Sequence, residues 1–245
     1  MRQGDYTILE NSRIATGMWR MVLEGDTSGI LRGGQFADVE VDGFFLRRPF
    51  AVTDWTDDNL TLIYKVVGKG TEAMTGWVEG RKVNLLTGLG NGFDASACTG
   101  RALVVCGGIG ASPAFHLVRE LLDSGKEVTV VLGYNTAGEL ILFDEYRRLG
   151  AEVLVATMDG SLGIRGLVTD VLDTLGKEYD YFYSCGPAVM MKAVCGKLDI
   201  PGEVSLEERM GCGCGICFGC TCHTTKGPRR VCAEGPVFKK EEVIW

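Results

Sequence analysis

The sequence predicts an antiparallel β-barrel, then a doubly wound parallel α/β domain, and last a short cysteine-rich segment. Three observations lead to this prediction. Short segments separated by turn signals fill residues 1–98, and apolar strands alternate with helix-like segments across residues 99–205. Residues 206–245 contain six of the ten cysteines. We therefore expect three domains with these boundaries.

The first 98 residues have the alternating polarity of half-buried strands. Strands are predicted at residues 18–23, 35–41, 49–55 and 59–67. The last is the clearest, because Leu60, Leu62 and Tyr64 face one way. Thr61 and Lys65 face the other way. Several short strands at this spacing are typical of a barrel.

The segment Arg48-Pro49-Phe50-Ala51 is the first candidate for chemistry. An arginine at the start of a strand can pair with a phosphate, and an aromatic ring two residues later can pack against a planar ligand. A charged edge in front of a β-strand explains the same residues without a ligand.

The segment Gly68-Lys69-Gly70-Thr71 is the second candidate in the barrel. A strand that runs into this turn exposes backbone N–H groups, and a helix that begins near Thr71 would point its N-terminus at an anion. A plain glycine turn with Thr71 as N-cap is the alternative.

A third candidate opens the α/β domain. A continuous apolar strand at 102–106 runs into the loop Gly107-Gly108-Ile109-Gly110-Ala111-Ser112-Pro113. We expect a helix from Pro113 to Asp123 with Ser112 as its cap, so that a pyrophosphate lies at the helix N-terminus. The loop departs from the usual G-x-G-x-x-G pattern, and a tight turn without a ligand is the alternative.

The rest of this domain continues the alternation. Strands are predicted at 127–132, 153–157, 179–184 and 204–206, and helices at 142–149, 167–175 and 188–198. The motif Cys185-Gly186-Pro187 follows one of these strands. Ligands of such sheets bind beyond the carboxyl ends of the strands, so this motif and the glycine loop belong to the same edge.

The cysteine-rich segment has the most specific spacing in the chain. Cys212, Cys217 and Cys220 form a C-x4-C-x2-C pattern, and Cys232 can supply a fourth thiolate. This is the ligand pattern of a plant-type [2Fe–2S] cluster. A structural zinc site, with His223 as a further donor, and a disulfide framework are the competing interpretations.

Four glycines accompany these cysteines, at positions 211, 213, 215 and 219. They let the backbone wrap closely and turn N–H groups toward the sulfurs. Cys214 and Cys222 are left without an assigned role.

Composition excludes several classes of function. The net charge is −7 with no basic run, which argues against a nucleic-acid partner. No apolar run is long enough to span a membrane, and the N-terminus does not resemble a signal sequence. The reduced cysteines predict the cytoplasm. No Ser-His-Asp set supports hydrolysis.

Taken together, these motifs are similar to those of the ferredoxin–NADP reductase superfamily, over residues 1 to about 205. The remaining segment narrows the resemblance. Residues 207–220 and 230–238, with Leu89-Gly90-Asn91-Gly92-Phe93 in the barrel, closely resemble the electron-transfer subunits of two-protein, NAD-dependent dihydroorotate dehydrogenases.

The resemblance implies three cofactors, FAD, NAD and a [2Fe–2S] cluster, and no catalytic side chain. The implied residues are Arg48, Pro49, Phe50 and Ala51 for the flavin, Gly68, Gly70 and Thr71 for its pyrophosphate, Gly108, Gly110 and Pro113 for NAD, Cys185, Gly186 and Pro187 beside the nicotinamide, and Cys212, Cys217, Cys220 and Cys232 for the cluster. Ala51 stands where the family motif has a hydroxyl, so one hydrogen bond to the flavin must come from elsewhere.

The resemblance also implies a partner and a direction. An FMN-containing catalytic subunit would oxidise dihydroorotate in pyrimidine biosynthesis, and electrons would pass through the cluster and FAD to NAD⁺ in a heterotetramer of two of each chain. Residues 133–139 contain no Arg or Lys for a 2′-phosphate, which favours NAD over NADP.

Two alternatives remain open. The chain could serve another flavin enzyme, of the ferredoxin–NADP⁺ oxidoreductase, sulfide dehydrogenase or sulfite reductase type. It could also be a regulatory module with a structural zinc and an empty nucleotide fold.

Overall fold

A computed structural model describes all residues from 1 to 245, and its first part is the predicted barrel. The strands are β1 (Arg2–Ala15), β2 (Met18–Glu24), β3 (Phe36–Val39), β4 (Arg48–Trp55), β5 (Asn59–Lys65) and β6 (Lys82–Leu89), with helix α1 (Lys69–Met74) between the last two. They close in the order β1-β2-β5-β4-β3-β6, with every neighbouring pair antiparallel.

The sequence analysis did not identify β1, although it is the longest strand. Register shifts between Ile8 and Glu10 and between Arg13 and Ala15 interrupt its alternation, so its polarity pattern is not that of a regular strand.

The alternation predicted for β5 is confirmed. Leu60, Leu62 and Tyr64 are buried in the barrel core. Ile63, on the opposite face, is also buried, because that face of β5 packs against the second domain. The barrel therefore uses both faces of β5.

The second part is the predicted doubly wound sheet. Its strands are β7 (Arg101–Gly107), β8 (Glu127–Tyr134), β9 (Glu152–Thr157), β10 (Ile164–Arg165), β11 (Tyr181–Cys185) and β12 (Gly202–Ser205), and its helices are α2 (Phe115–Asp123), α3 (Phe143–Leu149), α4 (Val168–Leu172) and α5 (Ala188–Lys197). These strands are parallel in the order β10-β9-β8-β7-β11-β12, and separate apolar clusters cover the two faces.

The helix after the glycine loop begins later than predicted. Residues Gly108–Ala111 form a 3₁₀ turn, and α2 starts at Phe115 rather than at Pro113. Ser112 does not cap the helix. Its hydroxyl lies 2.7 Å from the Thr53 hydroxyl of the barrel. The group that was predicted to cap the helix therefore makes a contact between the two domains.

Thr71 is also not an N-cap. It lies inside α1, which begins at Lys69, and its hydroxyl oxygen accepts hydrogen bonds from the backbone N–H groups of Val67 and Gly68. The threonine therefore closes the turn from within the helix.

Strand β4 holds the two domains together. The two terminal guanidinium nitrogens of Arg119 donate to the Asp54 carboxylate, at 2.8 and 2.6 Å. His116 Nδ1 lies 2.8 Å from the same carboxylate. The His116 ring stacks on Trp55 with 3.5 Å between ring centroids. His116 is thus a packing residue.

The cysteine-rich segment is integrated with both domains. It forms the hairpin β13 (Thr221–Thr224) and β14 (Gly227–Arg230), and then β15 (Val237–Lys239), which joins the sheet antiparallel to β12. Asn91 ties this segment to the barrel, because its amide donates to the carbonyl of Val237 and accepts from the Val237 N–H. No helix of the chain has the length and apolar character to cross a bilayer.

Candidate cofactor-binding sites

A cavity of about 700 Å³ lies at the carboxyl ends of the parallel strands. Gly107 and Gly108 line it after β7, and Gly186 and Pro187 line it after β11. Lys65 of the barrel also lines it, so the cavity opens at the junction of the two domains. This is where ligands bind in doubly wound sheets.

The two loops predicted for the nucleotide form one surface. A Cβ on Gly110 would lie 2.2 Å from the carbonyl oxygen of Cys185, so only glycine permits this approach. Gly110, Pro113 and Cys185 do not line the cavity themselves, whereas their neighbours Gly108, Gly186 and Pro187 do. Burial raises the pKa of the Cys185 thiol well above its ordinary value, which keeps the sulfur neutral.

The cavity contains an acidic residue that the sequence analysis did not single out. Glu139 lines it, and its carboxylate accepts hydrogen bonds from the Asn135 side chain at 2.9 Å and from the Asn135 N–H at 3.3 Å. A carboxylate after the second strand suits a ribose hydroxyl and repels a 2′-phosphate. Its position after β8 is the signal that could have identified it.

Other cavity residues were also missed, namely Met158, Leu167, Val168, Thr169 and Glu207. Most of them follow β9 and β10, whose carboxyl ends belong to the same edge. The sequence analysis examined only the loops after β7, β8 and β11, although the same rule applies to every strand of the sheet.

The two predicted barrel motifs also meet. A Cβ on Gly70 would lie 2.7 Å from Arg48 Nε, so the guanidinium rests directly on the turn. Arg48 is held by a 2.5 Å hydrogen bond to the Leu46 carbonyl and lies over the Phe44 ring. A fixed cation beside a turn fits a diphosphate. Gly68 has an extended backbone with open space around it, so its predicted role rests on the motif alone.

An aromatic ring lies two residues after the arginine. Phe50 is half-buried and tilts against Tyr64 with 5.7 Å between ring centroids. Tyr64 is fully buried and stacks on Trp19, so it supports Phe50 and does not itself face a ligand. The Phe50 ring can pack against a planar ring system. The hydroxyl missing at Ala51 is not supplied by Thr53, because that side chain is engaged with Ser112.

The predicted cluster ligands lie in two pairs. Cys212 and Cys217 are hydrogen-bonding neighbours, as are Cys220 and Cys232. In a cluster with two irons, each pair would hold one iron.

Backbone N–H groups point at these sulfurs. Cys212 Sγ accepts from Ile216 and Cys217 N–H groups at 3.3 and 3.4 Å, and Cys220 Sγ accepts from the Cys232 N–H at 3.4 Å. Burial raises the pKa of Cys212, but these and neighbouring hydrogen bonds outweigh it and lower the pKa to about 6. The donors are the ones that thiolate ligands need.

The glycines behave partly as predicted. Gly213 and Gly215 have positive φ angles of 64° and 86°, which favour glycine, whereas Gly211 and Gly219 do not. Cys214 lies beside Cys212, Cys222 lies near Cys220, and His223 is exposed on β13.

Comparison with known proteins identifies two domains and a family. Residues 207–244 match the iron–sulfur cluster binding domain of dihydroorotate dehydrogenase B, and residues 104–196 match the oxidoreductase NAD-binding domain. The dihydroorotate dehydrogenase B (NAD(+)) electron transfer subunit of Lysinibacillus sphaericus is 40% identical, over 99% of both chains. That of Fusobacterium nucleatum is 37% identical, also over 99% of both.

The chain belongs to this family of electron-transfer subunits. A solved structure described as an NADH-dependent reduced ferredoxin-NADP oxidoreductase is 30% identical, with a TM-score of 0.90 over 98% of this chain and 90% of that one. A ferredoxin NADP⁺ reductase from Neisseria gonorrhoeae with bound FAD and NADP shares the fold at 18% identity, with a TM-score of 0.65 over 80% of this chain and 90% of that one.

In this member of the family, a buried carboxylate lies beneath the cluster loop. Asp38 of β3 is almost fully buried, its Oδ1 has no hydrogen-bond partner, and Gly213 packs against its Oδ2. Burial raises the pKa of Asp38 to about 6, which nearby Arg47 opposes and Cys212 reinforces. Strand β3 therefore supports the cluster loop.

Proposed function

We propose that the chain is the electron-transfer subunit of an NAD-dependent dihydroorotate dehydrogenase. The contact of the cluster segment with the flavin strands supports this most directly. Strand β3 pairs with β4, and Asp38 lies opposite Pro49 of the flavin motif. The outward face of β3 packs against the cluster segment, where Phe36 joins Cys220 and Cys232 in one apolar cluster.

The proposed binding residues fall into three groups. The flavin group is Arg48, Pro49, Phe50, Ala51, Gly68, Gly70 and Thr71, the NAD group is Gly108, Gly110, Pro113, Cys185, Gly186 and Pro187, and the cluster group is Cys212, Cys217, Cys220 and Cys232. When bound, the flavin exchanges hydride with NAD and single electrons with an iron–sulfur cluster.

The chain's own residues supply charge, shape and donors. Arg48 neutralises a diphosphate, and the bare Gly70 lets that diphosphate reach the backbone. Gly110 and Cys185 bring the two nucleotide loops together, and the neutral Cys185 adds no charge beside the nicotinamide. Backbone N–H groups donate to the Cys212 and Cys220 sulfurs, as they do to the thiolate ligands of metal sites.

We propose NAD rather than NADP as the acceptor, because Glu139 faces the cavity and would oppose a 2′-phosphate. We also propose domains at 1–98, 99–205 and 206–245, with β15 returning from the last domain to the sheet of the second.

The partner follows from the family. We propose a catalytic subunit that contains FMN, in a cytoplasmic complex of two of each chain. The relatives are named as subunits, which implies a second chain. An electron-transfer subunit of the ferredoxin-NADP oxidoreductase type is the second candidate, supported by the 30% identity and TM-score of 0.90 to that structure.

The deciding experiment is an anaerobic visible spectrum of the purified chain, with iron and flavin analysis, before and after addition of NADH. We expect about two irons and one FAD per chain. The absorption bands of the flavin and the cluster should bleach when NADH is added. A colourless sample that contains zinc would contradict the proposal.

A second experiment separates the two candidate partners. The isolated chain should reduce an artificial acceptor with NADH and should fail to oxidise dihydroorotate. Dihydroorotate oxidation should appear only when the catalytic subunit is added. Dihydroorotate oxidation by a verified partner-free sample, or none with the partner present, would contradict the proposed division of labour.

A further inference from the structure

The Arg230 side chain makes contacts across the cysteine-rich segment that no sequence motif predicts. It ends β14, two residues before Cys232, and its side chain turns back toward the cysteine loop. One guanidinium nitrogen donates to the Gly215 carbonyl at 2.5 Å, and the guanidinium carbon lies 4.8 Å from the centre of the Phe218 ring. One side chain thus touches two separate parts of the loop.

Those two contacts fall between the proposed ligands. Gly215 lies between Cys212 and Cys217, and Phe218 lies between Cys217 and Cys220. Arg230 therefore links both spans of the loop to the strand that leads to the fourth ligand.

The loop needs such a link, because its backbone is not held by regular structure. Gly215 and Phe218 have positive φ angles of 86° and 59°, and Phe218 is not a glycine. The Phe218 side chain is 64% exposed, so no apolar core holds it. The guanidinium over its ring is the packing contact that fixes it.

Glu234 orients the Arg230 side chain. Its carboxylate accepts hydrogen bonds from the Arg230 backbone N–H at 2.6 Å and from Nε and Nη2 of the guanidinium. The arginine charge lies inside the cysteine-rich segment, because Arg230 is two residues from Cys232 and its guanidinium is hydrogen-bonded to Gly215, between Cys212 and Cys217. Glu234 offsets part of that charge.

We propose that Arg230 is a positioning residue for the iron–sulfur cluster, which holds the two spans of the loop and sets the cluster potential with its charge. The inference rests on the proposed function. A cation beside the sulfurs favours the form that carries one more electron, and so raises the reduction potential. Glu234 acts in the opposite direction.

Three variants test the proposal, with two readouts on the intact chain: the midpoint potential from a redox titration followed by electron paramagnetic resonance, and the rate of iron release to a chelator. Arg230→Gln should lower the potential and release iron roughly tenfold faster. Arg230→Lys should keep the potential near wild type and still release iron faster, because lysine lacks the planar fork.

Arg229→Gln is the matched control, since it removes the same charge from the neighbouring residue, which makes none of these contacts with the loop. It should leave iron release at the wild-type rate. Equal potentials and release rates in Arg230→Gln and Arg229→Gln would overturn the proposal. Equal potentials in Arg230→Gln and Arg230→Lys would also overturn the role of charge.

Glu234→Gln keeps the test decisive if Arg230→Gln fails to fold. It keeps one oxygen that can accept a hydrogen bond from Arg230 and removes the opposing charge, so the potential should rise. An unchanged or lower potential would overturn the proposal. A wild-type chain without iron would instead refute the proposed function, so the two failures are distinguishable.

Discussion

At the scale of single residues, each binding site depends on a charged side chain that a neighbouring group orients through a hydrogen bond. Glu139 is oriented by Asn135, and Arg48 is oriented by the Leu46 carbonyl. In each pair, one residue carries the charge and the other group holds it in place. Removal of the charged side chain should change nucleotide selectivity or flavin affinity more than stability.

Glu139 provides the first prediction. Exchange of Glu139 for Gln removes the negative charge and keeps the size, so discrimination against NADPH should fall by about tenfold in kcat/KM. NADH oxidation with an artificial acceptor measures both nucleotides. Glu178→Gln, on the surface, is the control and should leave the ratio unchanged. An unaltered NADH to NADPH ratio in the Glu139 variant would remove this residue from nucleotide selection.

Cys217 provides the second prediction. A Cys217→Ser variant should lose its iron, because the Cys212–Cys217 pair would keep one thiolate, and it should retain FAD, which the barrel binds. Iron and flavin analysis of the purified chain measures both. Cys195→Ser replaces a half-buried cysteine of α5 and should keep both cofactors. Wild-type iron content in Cys217→Ser would show that the ligand assignment is wrong.

At the scale of elements, short turns after strands form the cofactor surfaces. The first turn of α1 lies against the first residue of β4, and the loop after β7 lies against the end of β11. These contacts join segments that are distant along the chain. Their glycines are therefore required by the neighbouring element and not by the turn itself.

The first turn of α1 gives the third prediction. Gly70→Ala would place a Cβ 2.7 Å from Arg48 Nε and displace the guanidinium, so FAD affinity should fall by roughly ten- to a hundredfold. Gly76→Ala, just after α1, meets only the Ala73 carbonyl at an ordinary 3.6 Å and should bind FAD as wild type does. Flavin binding to the deflavinated chain, followed by fluorescence, compares the two. Equal affinities would mean that Arg48 does not contact the diphosphate.

At the scale of the whole molecule, the domains are joined by buried and half-buried polar groups as well as by apolar surface. Thr53 meets Ser112, Asp54 meets His116 and Arg119, and Glu203 of β12 accepts a 3.0 Å hydrogen bond from the Asp94 N–H in the linker. These contacts set the distance between the barrel and the sheet, and so the width of the cavity.

Glu203 gives a prediction about pH at this scale. Burial raises the pKa of its carboxyl above the ordinary 4.5, against the Asp94 N–H. The folded chain therefore holds this proton more tightly than the unfolded chain. The free energy of unfolding should fall as pH rises from 4.5 through the raised pKa, and the cost should persist above it.

Glu203→Gln removes this cost and keeps an oxygen acceptor for the linker. The variant should match wild type near pH 4.5 and exceed it in free energy of unfolding at pH 7, in urea titrations followed by circular dichroism. Glu127→Gln is a control of opposite sign, because the Arg101 hydrogen bond lowers the pKa of Glu127. A gain for Glu203→Gln that is independent of pH would contradict the assignment.

Local patterns in the sequence determined the two folded domains and the cluster spacing. Alternation in β5, apolar runs such as β7 and the spacing of Cys212, Cys217 and Cys220 are all properties of short segments, which the chain retains wherever it folds. The predicted start of α2 and the predicted capping role of Ser112 were wrong, because the Thr53 hydroxyl of another domain competes with local capping.

Only the tertiary structure decided which segments meet. The contacts of Arg48 with Gly70, of Gly110 with Cys185, and of Arg230 with Gly215 join residues that no local pattern connects. The only sequence signal of Glu139 is its position in the loop after β8, and the folded sheet shows that it lines the cavity. Local propensity acts over a few residues, whereas a binding site depends on distances that packing of the whole chain sets.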